Sequence, residues 1–189
     1  NTSPTQQRTI AKIKRSTERA THLISDLLDF TQARLGTGLP VDRAPIDLRA
    51  LVAEAVEDLR TLYPARFLEH RHTGDGCCTA DARRLHQMLG NLVTNAVAYG
   101  APATPVTIHS AFAPDSFTLS VHNHGDPISP EIQARMFQPM TRGTSEASAS
   151  RSVGLGLFIV HEIARAHGGA PFVDSTAERG TTIGARPRR

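Results

Sequence analysis

Ser152-Val-Gly-Leu-Gly-Leu-Phe-Ile-Val160 joins two closely spaced glycines directly to the start of an apolar helical run. Gly154 and Gly156 can take positive φ and, lacking a Cβ, let another backbone or a ligand come close. The helix expected after them, through about His167, turns its unpaired N–H groups and the positive end of its dipole toward that loop. Phosphate is the chemistry such a junction suits. Taken alone, Gly-x-Gly is a common turn, and its meaning depends on a second pattern upstream.

That pattern is Leu85-His-Gln-Met-Leu-Gly-Asn-Leu-Val-Thr-Asn-Ala-Val-Ala-Tyr99. Leu85, Met88, Leu89, Leu92, Val93, Ala96 and Val97 recur at helical spacing and form a stripe to be buried. Gln87, Asn91 and Asn95 are spaced by four, so they stack on another face. Asn is a poor helix-interior residue because its amide competes for the backbone. Two of them one turn apart therefore suggest amides with work outside the helix. An amide oxygen is a suitable hard ligand for Mg²⁺, which usually keeps several waters and substrate phosphates as well. The alternative is a plain solvated face, and the glycine junction weighs against it.

Punctuation gives the organisation. Ile10, Ile13, Thr17, Ala20, Ile24, Leu27 and Thr31 alternate by three and four along a helix expected from Thr5 to about Leu35, a seam suited to a helix pair or bundle. Gly36-Thr-Gly-Leu-Pro40 ends it and starts a linker. A strand near 44–48, a helix near 49–62, a strand near 67–72 and the asparagine-bearing helix near 81–99 follow. Residues 106–113 and 117–123 alternate apolar and polar around Pro-Asp-Ser and read as a hairpin, as do 170–176 and 181–186. The expected fold class is α/β (α+β): an α/β sandwich with a mixed sheet covered by helices on one face.

Together these segments resemble the ATP-binding domain of sensor histidine kinases, in the superfamily shared with gyrase, the heat-shock-90 chaperones and mismatch-repair proteins. The matching segments stand in the family's order from about Asp26 to Pro187. Ser25-Asp-Leu-Leu-Asp-Phe-Thr31 looks like the end of the second helix of the dimerisation and phosphoacceptor hairpin, and Pro45-Ile-Asp-Leu-Arg-Ala-Leu51 like the entry to the ATP-binding domain. Asn91–Tyr99 matches the asparagine box, and Val121–Ser129 is a variant of the first glycine box. Met136-Phe-Gln-Pro-Met-Thr-Arg142 matches the phenylalanine box, and Ser152–Leu157 the second glycine box. His167-Gly-Gly169 and Gly180-Thr-Thr-Ile183 match the closing turn and hairpin.

The resemblance implies residues 1–36 as that second hairpin helix, 37–43 as linker and 44–189 as the catalytic domain. It implies transfer of the γ-phosphoryl group of Mg-ATP to a histidine, for relay to a response-regulator aspartate. By the same resemblance Asn95 ligates Mg²⁺, and Asn91 supports the metal or polarises the attacking imidazole. Tyr99 lines the pocket and Asn123, with Gly125 beside it, meets adenine. The backbone from Gly154 through Leu155 and Gly156 to Leu157 cradles phosphate. Phe137 packs the base of a lid at Thr141–Ser152, or is ordinary core; Arg142 or Arg151 reaches phosphate, or is a solvated charge.

Departures from the family pattern matter too. Asn123-His-Gly-Asp-Pro127 stands where the family has Asp-x-Gly-x-Gly; Asn123 keeps an acceptor oxygen but not the charge. Pro127 and Ser152 replace glycines, and Ala98 replaces a cation, which implies weaker phosphate binding or compensation by another basic residue. No histidine here has the phosphoacceptor context: His22 lies on the apparent second helix and His86 in the asparagine box. The acceptor is therefore expected upstream in a longer parent, with a response regulator and the parent's hairpin helix as partners and a homodimer as the assembly. Two other readings stay open: a degenerate nucleotide-sensing regulator or dimerisation scaffold, and a chaperone- or gyrase-type ATPase. The latter needs a water-activating carboxylate one turn before the metal-binding Asn, where Asn91 stands.

Composition narrows little. The 189 residues are 39% hydrophobic with formal charge +3, and residues 1–36, with six cations and three carboxylates, account for that excess. That segment lacks interleaved aromatics, so a solvated helix face is expected rather than a nucleic-acid surface. No run reaches the ~18 apolar residues of a membrane span. The expectation is a cytoplasmic segment without membrane contact, its parent open to an upstream anchor. Adjacent Cys77 and Cys78 suit no disulfide framework and are each expected as small buried strand residues.

Overall fold

The computed structural model describes residues 4–36, 38–141 and 154–188. Helix α1 (Pro4–Arg34) leads into β1 (Ala44–Asp47), α2 (Leu48–Leu62), β2 (Leu68–Thr73), β3 (Cys77–Ala80) and α3 (Ala82–Tyr99). The hairpin β4 (Val106–Phe112) and β5 (Phe117–Asn123) follows, then the short α4 (Pro130–Gln133) and α5 (Gly156–Ala166). A second hairpin, β6 (Ala170–Thr176) and β7 (Gly180–Arg186), closes the chain. Among the described residues no helix is long and apolar enough to cross a membrane.

Five strands form one mixed sheet in the order β2-β4-β5-β7-β6, parallel between β2 and β4 and antiparallel elsewhere. The parallel pair needs a long crossover, and α3 lies within it. Helices α2, α3 and α5 lie side by side on the sheet: α2 against β2 and β4, α3 against β4 and β5, α5 against β6 and β7. Register places Ile108 beside Val121, Val121 beside Ile183 and Leu119 beside Ala185, all buried and all on one side of the pleat. The alternate positions Thr107, His109, Ser120, His122 and Thr182 form the other side.

Local chemistry fixes the helix starts. The Asp47 carboxylate accepts from Ala50 N at 3.0 Å and opens α2; the Asp81 carboxylate accepts from Arg84 N at 3.0 Å and opens α3. His167 ties the far end of α5 to that second cap. Its Nε2 accepts the Asp81 N–H at 3.0 Å while its Nδ1 donates to Ile163 O at 2.8 Å, so the buried ring is the neutral Nδ1–H tautomer. Along α3, Leu85, Met88, Leu89, Leu92 and Val93 are each 1% exposed or less, as the periodicity implied. Each contributes about 1.5–3 kcal/mol by leaving water.

Two features differ from the reading of the sequence. The strand implied for the two cysteines is β3, and it joins none of the expected hairpins: it pairs with β1 in a separate two-stranded sheet, Ile46 facing Cys78 and Asp47 facing Cys77. Strand alternation then buries Cys78 and leaves Cys77 exposed, where both were expected inside. The α1 stripe, by contrast, behaves as an unpartnered seam. Ile10, Ile13, Ile24 and Leu27 are all more than half exposed, and the helix docks through other residues.

Candidate functional site

The middle of α3 and the start of α5 meet at Asn91. A Cβ built on Gly156, the first residue of α5, would stand 3.4 Å from Asn91 Oδ1, so the helix start lies directly against that amide. Asn91 Nδ2 is buried and finds no hydrogen-bond partner among the described residues. Leaving such a donor unmade costs about 1–3 kcal/mol, which marks a place where something else supplies the acceptor. Leu155 gives α5 no side-chain cap, so its first-turn N–H groups have no capping partner among the described residues. One turn along α3 from Asn91, Asn95 is half-buried, and its side chain makes no hydrogen bond among the described residues.

Each candidate of the glycine junction has its own part. Gly154 holds φ at +76°, and a Cβ there would come within 3.0 Å of Thr141 O. Met140 N donates to Gly154 O at 3.0 Å, so residues 141 and 154, which flank the segment 142–153, stand together. The Leu155 side chain is buried, which leaves its backbone for the site, and Leu157 is half-buried against the core. Phe137 packs on the core, as its reading as ordinary core implied, while the lid segment it was also expected to support lies outside the described residues. Arg142, Arg151 and Ser152 lie outside the described residues.

A second cluster forms where α3 ends. Ala101 N donates to His124 O at 2.7 Å, drawing the chain beyond α3 against the loop after β5. Gly125 stands so close that a Cβ would be 2.9 Å from Tyr99 O, and a Cβ on Gly100 would be 3.0 Å from Asn123 Cβ. Tyr99 is 42% exposed, whereas Asn123 is 5% exposed and its Nδ2 donates to His124 O at 3.3 Å. Ser175 Oγ and Thr181 Oγ1 share a hydrogen at 2.6 Å, and Ser175 Oγ accepts from Ile128 N at 2.9 Å. These bonds fasten the loop after Gly125 to the second hairpin.

Sequence reasoning missed residues whose partners are distant. Gln87 lies on the asparagine face, but its Nε2 donates to Asp29 Oδ2 at 2.7 Å on α1. Arg84 Nη1 donates to both Asp29 carboxylate oxygens at 2.8 Å and to Gln87 Oε1 at 2.9 Å, with Arg84 and Asp29 buried. Phe30 of α1 meets Phe158 of α5 edge-on at 5.6 Å. One helix thus grips both elements that carry the site. Arg66 was also missed: Nη1 donates to Ala101 O at 3.0 Å, while Nε and Nη2 are buried without a partner among the described residues. It sits in a loop with no motif to signal it.

The residues present fit an anionic nucleotide with a hard cation. Open α5 amides, an orphaned Asn91 donor and backbone left bare by glycine suit phosphate. Among the described residues no three His, Cys, Asp or Glu side chains form a metal cluster. An amide oxygen on Asn95 matches the sparse protein ligation of Mg²⁺, which relies on phosphates and water for the rest.

Comparison with known proteins agrees with this geometry. Residues 80–189 match the family described as histidine kinase-, DNA gyrase B- and HSP90-like ATPase. The chain is 35% identical over 173 residues to the probable sensor histidine kinase TcrY of Mycobacterium tuberculosis, a match covering 88% of this chain and 35% of that relative. Its fold superposes on full-length ShkA in complex with AMPPNP with a TM-score of 0.75 at 24% identity, over 99% of this chain and 39% of that one. For the Acinetobacter baumannii histidine kinase AdeS the TM-score is 0.73 at 20% identity, over 100% of this chain and 86% of that one. This chain, which spans about a third of the length of TcrY, belongs to the histidine kinase-, DNA gyrase B- and HSP90-like ATPase family.

Proposed function

We propose that this chain holds Mg-ATP between α3 and α5 and delivers its γ-phosphoryl group to a histidine outside the segment, for relay to an aspartate of a response regulator. The observation that carries this reading is the contact between Asn91 and the uncapped start of α5. It sets an orphaned amide donor beside open backbone N–H groups.

Phosphoryl transfer asks a protein mainly to position groups and to neutralise charge. The amides of Gly154, Leu155, Gly156 and Leu157 bind the phosphates at the positive end of the α5 dipole. Asn95 would ligate the metal, and Asn91 would support the metal through its amide oxygen or polarise the attacking imidazole, its unpaired Nδ2 remaining free to donate to an acceptor. When bound, Mg²⁺ supplies charge neutralisation on the triphosphate. Asn123 and Tyr99 hold the base end, beside Gly125. Arg142, like Arg151, is a candidate phosphate contact on the segment 142–153.

Residues 1–36 act in this reading as the second helix of a dimerisation hairpin, 37–43 as linker and 44–189 as the catalytic domain, in a cytoplasmic part of a homodimeric parent. The exposed α1 stripe supports that role. Calorimetric titration with the non-hydrolysable analogue AMPPNP, with and without Mg²⁺, tests the central step. Saturable Mg²⁺-dependent binding that weakens at least tenfold, about 1.4 kcal/mol, in Asn95→Ala is expected. Absence of binding up to millimolar ligand by folded protein would leave the regulator or scaffold reading instead.

A further inference from the structure

The base end of the site differs from a carboxylate pocket in what it can offer a purine. The proposal below rests on the reading of Asn123 as the base contact. A carboxylate only accepts hydrogen bonds, so it pairs with the 6-amino group of adenine and repels the 6-oxo group of hypoxanthine or guanine. An amide carries both an acceptor and two donors, and rotation about its last torsion exchanges them. What decides whether it can rotate is how firmly its NH₂ is held.

Here it is held weakly. Among the described residues Asn123 Nδ2 donates only to His124 O, at 3.3 Å, beyond the usual N–H···O range. That carbonyl already accepts the Ala101 N–H at 2.7 Å, so it stays satisfied when the amide turns away. The surroundings also favour an acceptor on the base. Arg66 Nη2 is buried without a partner among the described residues. It lies 3.1 Å from the point a Gly100 Cβ would occupy, and Asn123 Cβ lies 3.0 Å from that same point. A permanent cation therefore stands within about 6 Å of Asn123 Cβ, where its field favours an acceptor over a donor.

We infer that Asn123 makes this a purine site of relaxed selectivity, taking 6-oxo purine nucleoside triphosphates as well as ATP. Its tilt toward ATP is set by the loss of one long hydrogen bond and by the Oδ1 that then faces the His124 carbonyl in its place. Inosine triphosphate isolates the effect, because it differs from ATP only in the 6-substituent and the N1 proton that accompanies it.

The experiment is competition of ATP and of inosine triphosphate against a fluorescent ATP analogue, with Mg²⁺, on the full chain and on Asn123→Asp. In the native chain inosine triphosphate should bind within about tenfold of ATP, the worth of one modest hydrogen bond. In Asn123→Asp the ratio should widen at least another tenfold, chiefly through loss of inosine triphosphate. Rejection of inosine triphosphate by more than a hundredfold in the native chain would overturn the inference. So would an unchanged ratio in the variant while both nucleotides still bind. Failure of the native chain to bind ATP at all would instead overturn the site reading beneath it. The native ratio requires no variant, so the inference stays testable even where Asn123→Asp does not fold.

Discussion

Removing Asp29 tests how α1 is joined to the site. Asp29 is 5% exposed and Arg84 3%, and the guanidinium gives its Nη1 to both carboxylate oxygens at 2.8 Å. Asp29→Ala leaves that cation buried, with Gln87 Oε1 and Pro40 O at 2.9 and 3.4 Å as its remaining acceptors. Breaking a buried pair from one side costs about 3–5 kcal/mol, because the surviving charge has lost its counterion in low dielectric. At about 2–4 °C per kcal/mol for a chain of this size, the melting temperature should fall by roughly 6–20 °C. If α1 lifts off instead, its helical signal should melt in a separate, earlier transition. Replacing both partners by apolar residues, Asp29→Leu with Arg84→Met, should restore most of the loss, since neither charge is then stranded. Circular dichroism through a thermal ramp on wild type, Asp29→Ala, Asp29→Leu, Arg84→Met and the double variant reads all of this. A single native-like transition for Asp29→Ala within about 1 kcal/mol of wild type, with additive effects in the double variant, would refute the argument.

Three further outcomes follow from the same geometry. Burial holds His167, His70, His109 and His122 below the usual histidine value of 6.5, so each prefers to be neutral when folded. The unfolded chain then binds more protons below about pH 6.5; urea midpoints should be flat above that pH and fall as acid titrates the folded histidines, and a midpoint that rises on acidification would contradict this. Gly154→Ala places a Cβ at φ +76° and 3.0 Å from Thr141 O, so it should cost about 1–2 kcal/mol and weaken AMPPNP binding; a variant as stable as wild type with undiminished affinity would remove the glycine from the site. Asn91→Leu removes the orphaned buried donor and should leave the free chain as stable or up to about 1–2 kcal/mol more stable, while nucleotide binding falls at least tenfold. Loss of stability with binding intact would reverse the assignment.

How much of this was legible in the sequence varied with the distance over which residues act. α3 and α5 could be read almost to the residue, because a strong 3.6 period and a glycine junction are local signals. Both hairpins were visible for the same reason. The short β3 was visible only as a strand setting for the two cysteines; its bounds and its pairing with β1 come from the fold. The grip on α1 was equally hidden, since Asp29 meets Arg84 and Gln87 across 55 and 58 residues of chain. Gln87 shows the limit of a face argument: it shares a stripe with Asn91 and Asn95, yet α1 takes its amide. Arg66 gave no signal at all, because a buried guanidinium is recognised by its surroundings rather than by its neighbours in sequence.

The most direct measurement of the central claim is a nitrogen-15 NMR titration of the chain with Mg-AMPPNP. The account requires the backbone amides of Gly154 to Leu157 and the side-chain NH₂ signals of Asn91 and Asn95 to move together, saturably, at one affinity. The largest changes should fall at the start of α5 and on Asn91. Saturable binding that shifts residues elsewhere and leaves these signals in place would contradict a nucleotide site between α3 and α5.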